Sequence, residues 1–183
     1  LTKLITDSRK NPKFKETRFI YISVKEEHLF GPDVEPMTDV GSAIKSMSEN
    51  PITVFYPIDS EHYEDDVDGI IEGVFSLASA KRKKKDPIPS FVIIIDDANI
   101  IKGFDSRGQP SPMVKKLAVA GRSKRIRGMF ICHRLGSLPR LLNGNLSALL
   151  VMNINPMDND YAKKIFGVDF DEIIGELGEY RWA

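Results

Sequence analysis

The stretch FVIIIDDANI, residues 91–100, sets five apolar residues together and follows them with two adjacent aspartates. Five consecutive apolar positions, rich in β-branched isoleucine, predict a strand that is covered on both faces, as strands of parallel sheets are. Asp96 and Asp97 then stand at its carboxyl end. In an open parallel α/β sheet this end faces the crevice where ligands bind, so a carboxylate there can hold a hydrated metal ion. The stretch therefore predicts a site for Mg²⁺ and a nucleotide phosphate.

The composition is that of a globular protein with one core. The 183 residues are 42% hydrophobic and 28% charged, which predicts a single domain over residues 1–183. Basic and acidic residues number 26 each, so net charge does not recruit nucleic acid and any such contact needs a local patch. Cys132 is the single cysteine, which excludes a disulfide framework and favours an intracellular, cytoplasmic setting. No apolar run approaches the ~20 residues that cross a membrane.

Further strands and helices are predicted to alternate along the chain. Strands are expected in RFIYISV, ITVFYP, GMFICH and ALLVMNI, at residues 18–24, 52–57, 128–133 and 148–154. Helices are expected over residues 1–10, 38–50, 61–85, 113–125, 138–142 and 158–166, with Thr38 or Asp39 as a cap and Gly167 as a stop. This alternation predicts an α/β fold with a mainly parallel sheet and helices on both faces.

Apolar residues followed by an acidic pair have the form of a Walker B element. In such an element the first acid helps to hold Mg²⁺ on the phosphates, and the second can polarise the attacking water. The alternative is that an aspartate merely caps the turn after a buried strand. The strand alone does not decide between the two interpretations.

A second pattern follows about 25 residues later and carries a family resemblance. MVKKLAVAGRSKRIRGMFICHRLGSLP, residues 113–139, has the layout of a helix, a Gly-Arg corner and a buried strand that ends in polar residues. This resembles the FtsK/HerA superfamily of DNA-pumping ATPases, in which a strand ending in an ATQRP-like sensor follows the Walker B strand. NGNLSALLVMNI (143–154) is similar to the asparagine-led strand of that family, and IIGELGEYRWA (173–183) to its closing strand.

The resemblance implies a RecA-like (ASCE) P-loop NTPase fold, with ATP and Mg²⁺ as cofactors. It places Asp96 on the metal, Asp97 on the attacking water, and His133 at the phosphate-sensing glutamine. Two departures stand out: His133 replaces glutamine and can be protonated, while Asp97 is one methylene shorter than the glutamate of many relatives. The alternative for His133 is a hydrogen-bonded histidine near the surface.

The phosphate-binding loop of such proteins, G-x-x-x-x-G-K-[ST], does not occur in the 183 residues. In the family it immediately precedes a helix similar to LTKLITDSRK (1–10), so we expect it upstream of Leu1, together with the first strand. GFDSRGQP (103–110) has two glycines at the right spacing, but Gln109 and Pro110 replace the lysine and the hydroxyl residue. It is predicted to be a surface loop.

The resemblance also implies a homo-oligomeric ring, hexameric in the family, in which an arginine of one subunit completes the site of the next. Arg122, at the Gly-Arg corner, is the preferred candidate for this role. The basic patches KRKKK (81–85) and GRSKRIR (121–127) provide Lys83, Lys84, Lys124 and Arg125 as candidate contacts to double-stranded DNA. The alternative for the first patch is a solvated helix end, and for any one arginine a solvated surface side chain.

Within the superfamily, a chain this small looks most like a viral genome-packaging ATPase of the archaeal icosahedral virus type. The expected activity is ATP-driven movement of double-stranded DNA into a preformed capsid, with capsid or viral membrane-vertex proteins as further partners and a location in the host cytoplasm or the virion. Two alternatives remain open. One is a translocase of the same superfamily for conjugation or repair, and the other is a catalytically inert module that binds DNA or sister subunits.

Overall fold

The computed structural model describes residues 5, 7, 10–25, 30, 34–57, 62–80, 89–101, 109–134, 136, 139–143, 145, 147 and 156–167. Within these residues, four parallel strands form one sheet: β1 (Thr17–Ile22), β2 (Ile52–Phe55), β3 (Ser90–Ile95) and β4 (Ile126–Phe130). The helices of the same ranges are α1 (Val40–Glu49), α2 (Tyr63–Ser79), α3 (Pro112–Ala120), α4 (Arg140–Asn143) and α5 (Pro156–Phe166). The strand order is β2-β1-β3-β4, so the predicted α/β fold with a parallel sheet is confirmed.

The register brings the ends of the strands to common edges of the sheet. Ile22 pairs with both Phe55 and Ile95, and Ile95 pairs with Phe130, so the strands end at the same level. We call this the carboxyl edge. The opposite edge, which we call the amino edge, contains the strand starts Thr17, Ile52, Ser90 and Ile126. The residues that directly follow each strand in the sequence therefore lie together at the carboxyl edge.

Both faces of the sheet are buried, as the run of apolar residues in β3 predicts. Side chains alternate between the faces along a strand. Phe91, Ile93 and Ile95 therefore join one core cluster, and Ile94 joins the other. Helices α1, α2 and α3 contribute buried side chains to the first cluster, while Ile5 belongs to the second. The predicted helix over residues 1–10 lies mostly outside the described residues, so helix cover on the second face stays a prediction.

Helices α1 and α2 approach closely through glycine. Gly73 of α2 lies against Ile44 of α1, where a methyl group on Gly73 would come within 2.6 Å of the Ile44 Cγ1 atom. Gly69, one turn earlier, faces Val40 in the same way. The carboxylate of Asp39 accepts a hydrogen bond of 2.8 Å from the Ser42 amide, so the predicted cap of α1 is confirmed.

The corner between α3 and β4 differs from the predicted helix over residues 113–125. The helix ends at Ala120, and Arg122–Lys124 form a 3₁₀ turn that closes with Arg125 in the left-handed region at φ 59°. The Gly121 carbonyl accepts hydrogen bonds of 2.9 Å from the amides of both Lys124 and Ile126. These bonds turn the chain directly into β4, and an α-helical path to Arg125 is incompatible with them.

Other boundaries also differ from the prediction. Helix α2 ends at Ser79 because Ala80 adopts an extended conformation, and residues 81–88, with the lysine run, lie outside the described residues. Strand β4 ends at Phe130 instead of His133. The next amide, that of Ile131, still bonds the Ile95 carbonyl, and the Ile131 carbonyl then accepts from the Ala98 amide, beyond the end of β3. The predicted strands over residues 148–154 and 173–183 also fall outside the described residues, whereas Gly167 ends α5 at φ 68° as expected.

We expect the substitution Gly121→Ala to destabilise the protein. The new methyl group would lie 2.5 Å from the Leu117 carbonyl oxygen and 2.8 Å from the Ile126 carbonyl oxygen, and backbone atoms cannot rotate away as a side chain can. The expected loss is about 1–3 kcal/mol of unfolding free energy, measured by urea denaturation. The control is Gly41→Ala in α1, where the nearest atom is the Asp39 Oδ1 at 3.3 Å and the helix gains propensity. Equal stability of the two variants would contradict this account of the corner.

Candidate functional site

Asp96 and Asp97 stand at the carboxyl edge, immediately after β3. The Asp96 amide donates to the Ile22 carbonyl at 2.9 Å, which extends the ladder between β1 and β3 by one bond. Asp97 then adopts the left-handed conformation at φ 47°, a region that aspartate tolerates better than most residues. The chain reverses there into a 3₁₀ turn, Ala98–Ile100. The two adjacent carboxylates consequently have different surroundings.

The Asp96 carboxylate is half-buried and is held by two donors. The Tyr21 hydroxyl donates to Oδ2 at 2.5 Å, and the Asp97 amide donates to Oδ1 at 2.9 Å. A third group, the Tyr63 hydroxyl, donates to the main-chain carbonyl of Asp96 at 3.2 Å. Since each carboxylate oxygen can accept two hydrogen bonds or ligand contacts, both oxygens keep acceptor capacity. A hard oxygen donor with a fixed direction suits Mg²⁺, which proteins bind through one or two carboxylates together with phosphates and water.

The Asp97 carboxylate is buried, with 4% of the residue exposed, and it makes two ion pairs. The Lys25 ammonium lies 2.8 Å from Oδ2, and His133 Nε2 contacts Oδ1. Burial acts to raise the pKa of Asp97, but the hydrogen bonds and charges of Lys25 and His133 outweigh it and hold the pKa below its usual value. Asp97 is therefore a carboxylate at neutral pH.

Three strand ends meet in this contact. Lys25 follows β1, Asp97 follows β3, and His133 follows β4. The side chains of Lys25 and His133 are 51% and 69% exposed, so both reach inward from solvent to a buried acid. The sequence placed Asp97 and His133 at neighbouring strand ends, and the structure brings them into direct contact. Their catalytic roles stay predictions.

The negative charge of this region contributes to raised pKa values of two neighbouring groups. Burial raises the pKa of the Tyr63 hydroxyl above its usual value, and the charges of Asp96 and Asp97 raise it further. Burial also raises the pKa of the Cys132 thiol to about 12, again with contributions from the two aspartates. Cys132 therefore stays a thiol at neutral pH, so it is not an activated nucleophile. The same field favours a bound cation.

The residues after His133 are tied to helix α5. Asp158, in the first turn of that helix, is buried, and its Oδ1 accepts from the Gly136 amide at 3.4 Å. The Arg134 Nε lies 3.8 Å from the other oxygen of the same carboxylate. Arg134 thus supports the loop beside the site and faces Asp158.

The predicted arginine and DNA contacts lie elsewhere. Arg122, Lys124 and Arg125 are exposed at the amino edge, where the Arg125 carbonyl accepts from the Phe91 amide at the start of β3. The five residues of β4 separate this corner from the carboxyl edge by ~16 Å. Arg122 therefore does not reach Asp97 of its own chain. Lys83 and Lys84 lie outside the described residues.

Sequence reasoning missed Lys25, Tyr21 and Tyr63. Lys25 could have been predicted from the sequence, because it follows an apolar strand just as Asp96 follows β3, and the ends of parallel strands meet. The two tyrosines could not have been predicted, since their contacts with Asp96 depend on strand register and on the packing of α2.

The described residues contain neither a clustered metal site nor a membrane-spanning helix. They contain no group of three or more histidine, cysteine, aspartate or glutamate side chains that could hold a metal ion. No helix in this part of the chain is long and apolar enough to cross a membrane.

Solved structures show which proteins share this fold. The chain is similar to the genome packaging NTPase B204 of Sulfolobus turreted icosahedral virus 2 in complex with AMP, with a TM-score of 0.68, 14% identity, and coverage of 99% of this chain and 79% of that chain. The complex with ATP-gammaS gives a TM-score of 0.67 at 14% identity, with 98% and 81% covered.

B204 of Sulfolobus turreted icosahedral virus, a DNA-packaging ATPase, gives a TM-score of 0.61 at 15% identity, with 97% and 79% covered. No protein-family model and no curated protein sequence matches significantly. At this identity the likeness shows the fold, so the predicted RecA-like α/β architecture is confirmed.

The ion pairs of Asp97 predict a pH dependence of stability. Because the folded state holds the pKa of Asp97 below 3.8, its contribution to stability is complete above that value and is lost as the pH falls further. We therefore expect the difference in unfolding free energy between wild type and Asp97→Asn to shrink as the pH falls from about 5 to below about 4. Urea denaturation across this range measures it.

Asp160→Asn, at an exposed position of α5, is the control. We expect its difference from wild type to stay nearly constant over the same range. A difference for Asp97→Asn that is equally constant, or that grows in acid, would show that the two ion pairs do not stabilise the folded state.

Proposed function

We propose that this protein hydrolyses ATP with Mg²⁺ and uses the energy to move double-stranded DNA into a viral capsid. One observation carries the proposal: at the carboxyl edge, a half-buried Asp96 lies beside a buried Asp97 that His133 contacts. The same fold in packaging NTPases solved with AMP and ATP-gammaS supports it. That edge is where nucleotides bind in open parallel sheets.

Each residue has a separate task in this proposal. Asp96 holds the metal ion with its free acceptor positions. A Mg²⁺ ion held by Asp96 would neutralise charge that develops on the phosphates during transfer. Asp97 orients the attacking water, and the exposed ring of His133 donates a hydrogen bond to the terminal phosphate. Each oxygen of Asp97 has one partner in the structure and, like those of Asp96, can accept a second contact, so water can bind Asp97 beside Lys25 and His133.

A second candidate function rests on the same two ion pairs. The buried carboxylate of Asp97, paired with Lys25 and His133, can also have a purely structural role. In that case the protein is a catalytically inert module that binds DNA or sister subunits. The two candidates differ in one measurable property, which is turnover of ATP.

We expect Asp96→Ala to lower ATP turnover at least about 100-fold, because it removes the carboxylate assigned to the metal. The assay uses the full-length protein with Mg²⁺-ATP, with and without duplex DNA. Asp65→Ala, on the exposed surface of α2, is the control and should keep wild-type turnover. Unchanged turnover in Asp96→Ala would refute the metal assignment, and no turnover in wild type would favour the inert module.

We further propose that Arg122 acts on the site of a neighbouring subunit in a ring. Its position at the amino edge, ~16 Å from the carboxyl edge of its own chain, supports a role between subunits over one within the subunit. Lys124 and Arg125 share this exposed corner. We assign them, together with Lys83 and Lys84, to the phosphate backbone of duplex DNA, whose binding then weakens steeply with salt. Ring size, capsid or membrane-vertex partners, and a location in the host cytoplasm or the virion are proposed by resemblance alone.

A mixing experiment tests the role of Arg122. We expect Arg122→Ala to lower turnover ~10³-fold or more, as loss of such an arginine does in related phosphoryl-transfer enzymes. Mixing it with the inactive Asp96→Ala variant should restore part of the activity, because some interfaces then combine an intact Asp96 with a neighbour's intact Arg122. Lys115→Ala, exposed on α3, is the matched control for loss of a surface cation. Failure of the mixture to recover any activity would argue against a role between subunits.

A further inference from the structure

We propose that Tyr21 is a positioning residue for the divalent cation, and that it acts by fixing the direction of the Asp96 carboxylate. The inference rests on the proposed function, because it takes Asp96 as the metal ligand. It adds a residue of β1 that no motif in the sequence marks.

The register of β1 and β3 places the two side chains together. Tyr21 pairs with Ile94, and Asp96 follows two residues later on the same face of the sheet. The Tyr21 hydroxyl donates to Asp96 Oδ2 at 2.5 Å. Tyr21 is 1% exposed, and the ring of Phe30 packs against it edge to face with centroids 5.5 Å apart. A buried ring with neighbours on a central strand keeps its hydroxyl in a fixed place.

An aspartate needs such a partner in order to present a metal with a defined geometry. The last torsion of its side chain is broad, so the carboxylate alone samples a wide range of rotations. The Tyr21 hydroxyl on Oδ2 and the Asp97 amide on Oδ1 restrain that rotation from both sides. Mg²⁺ demands nearly ideal octahedral geometry, so a restrained ligand binds it with a smaller loss of freedom. Loss of the Tyr21 hydroxyl should therefore lower the affinity for the metal ion without a comparable loss of folding stability.

Tyr63 provides a matched control within the same site. It is also a buried tyrosine, 2% exposed, and its hydroxyl also bonds Asp96. Its acceptor, however, is the main-chain carbonyl at 3.2 Å and not the carboxylate. Tyr21→Phe and Tyr63→Phe thus remove the same chemical group from the same residue, and only the first releases the carboxylate.

The experiment measures metal affinity and not only turnover. Mn²⁺ binding to the full-length protein with the non-hydrolysable analogue AMPPCP is followed by electron paramagnetic resonance, and nucleotide affinity without metal is measured in EDTA. We expect Tyr21→Phe to weaken Mn²⁺ binding roughly 10-fold or more, and to raise the Mg²⁺ concentration needed for half-maximal turnover by a similar factor. We expect Tyr63→Phe to stay within about 2-fold of wild type, and metal-free nucleotide affinity to stay unchanged in both.

A double-mutant cycle with Asp96→Asn separates the possible outcomes. If Tyr21 acts through the carboxylate, Tyr21→Phe has no further effect on Mn²⁺ affinity once Asp96 is substituted. Equal Mn²⁺ affinity in Tyr21→Phe and wild type would overturn the inference, as would equal losses in the two tyrosine variants. If Asp96→Asn itself leaves Mn²⁺ affinity unchanged, the proposed metal site fails, and the inference fails with it. Thermal unfolding of each variant establishes that it is folded before affinities are compared.

Discussion

The buried carboxylate of Asp97 is the constraint on which the site depends. A carboxylate removed from water is costly unless charges or hydrogen bonds compensate it, and the Lys25 ammonium and the His133 ring contact its two oxygens. Each partner follows a different strand, so compensating one charge fixes the relative positions of β1, β3 and β4 at the carboxyl edge. The left-handed backbone of Asp97 belongs to the same arrangement, because the chain turns there from the end of β3 into the 3₁₀ turn Ala98–Ile100. Two adjacent acids thereby gain separate surroundings: Asp96 is held by neutral donors, and Asp97 is paired with Lys25 and His133.

The parallel sheet also separates two kinds of chemistry. The acidic pair, Lys25 and His133 collect at the carboxyl edge, whereas Arg122, Lys124 and Arg125 are exposed at the amino edge. A single chain cannot bring these edges together, since the strands between them are rigid and buried on both faces. Under the proposed function this separation makes assembly a requirement, because the basic corner of one subunit can serve only a neighbour or DNA.

Much of the fold was predictable because it depends on local patterns. The apolar run of β3 indicated a strand buried on both faces, Asp39 indicated a helix start, and Gly167 indicated a helix end. The corner after α3 was not predictable, since it depends on which amides reach the Gly121 carbonyl. In the candidate site, Asp96 and Asp97 could be found because they follow an apolar run, and His133 because its strand resembles the sensor strand of the FtsK/HerA superfamily. Tyr21 could not, because its role needs the register between two strands that lie about 70 residues apart in the sequence.

The most direct test of the central claim is a structure of the full-length protein with Mg²⁺ and a non-hydrolysable ATP analogue. The account predicts the metal at the carboxyl edge, bound to the Asp96 carboxylate directly or through one water at ~4 Å, with the terminal phosphate on the side of His133. Phosphates bound at the amino edge would contradict it. So would a metal ion that Asp96 contacts neither directly nor through a water molecule.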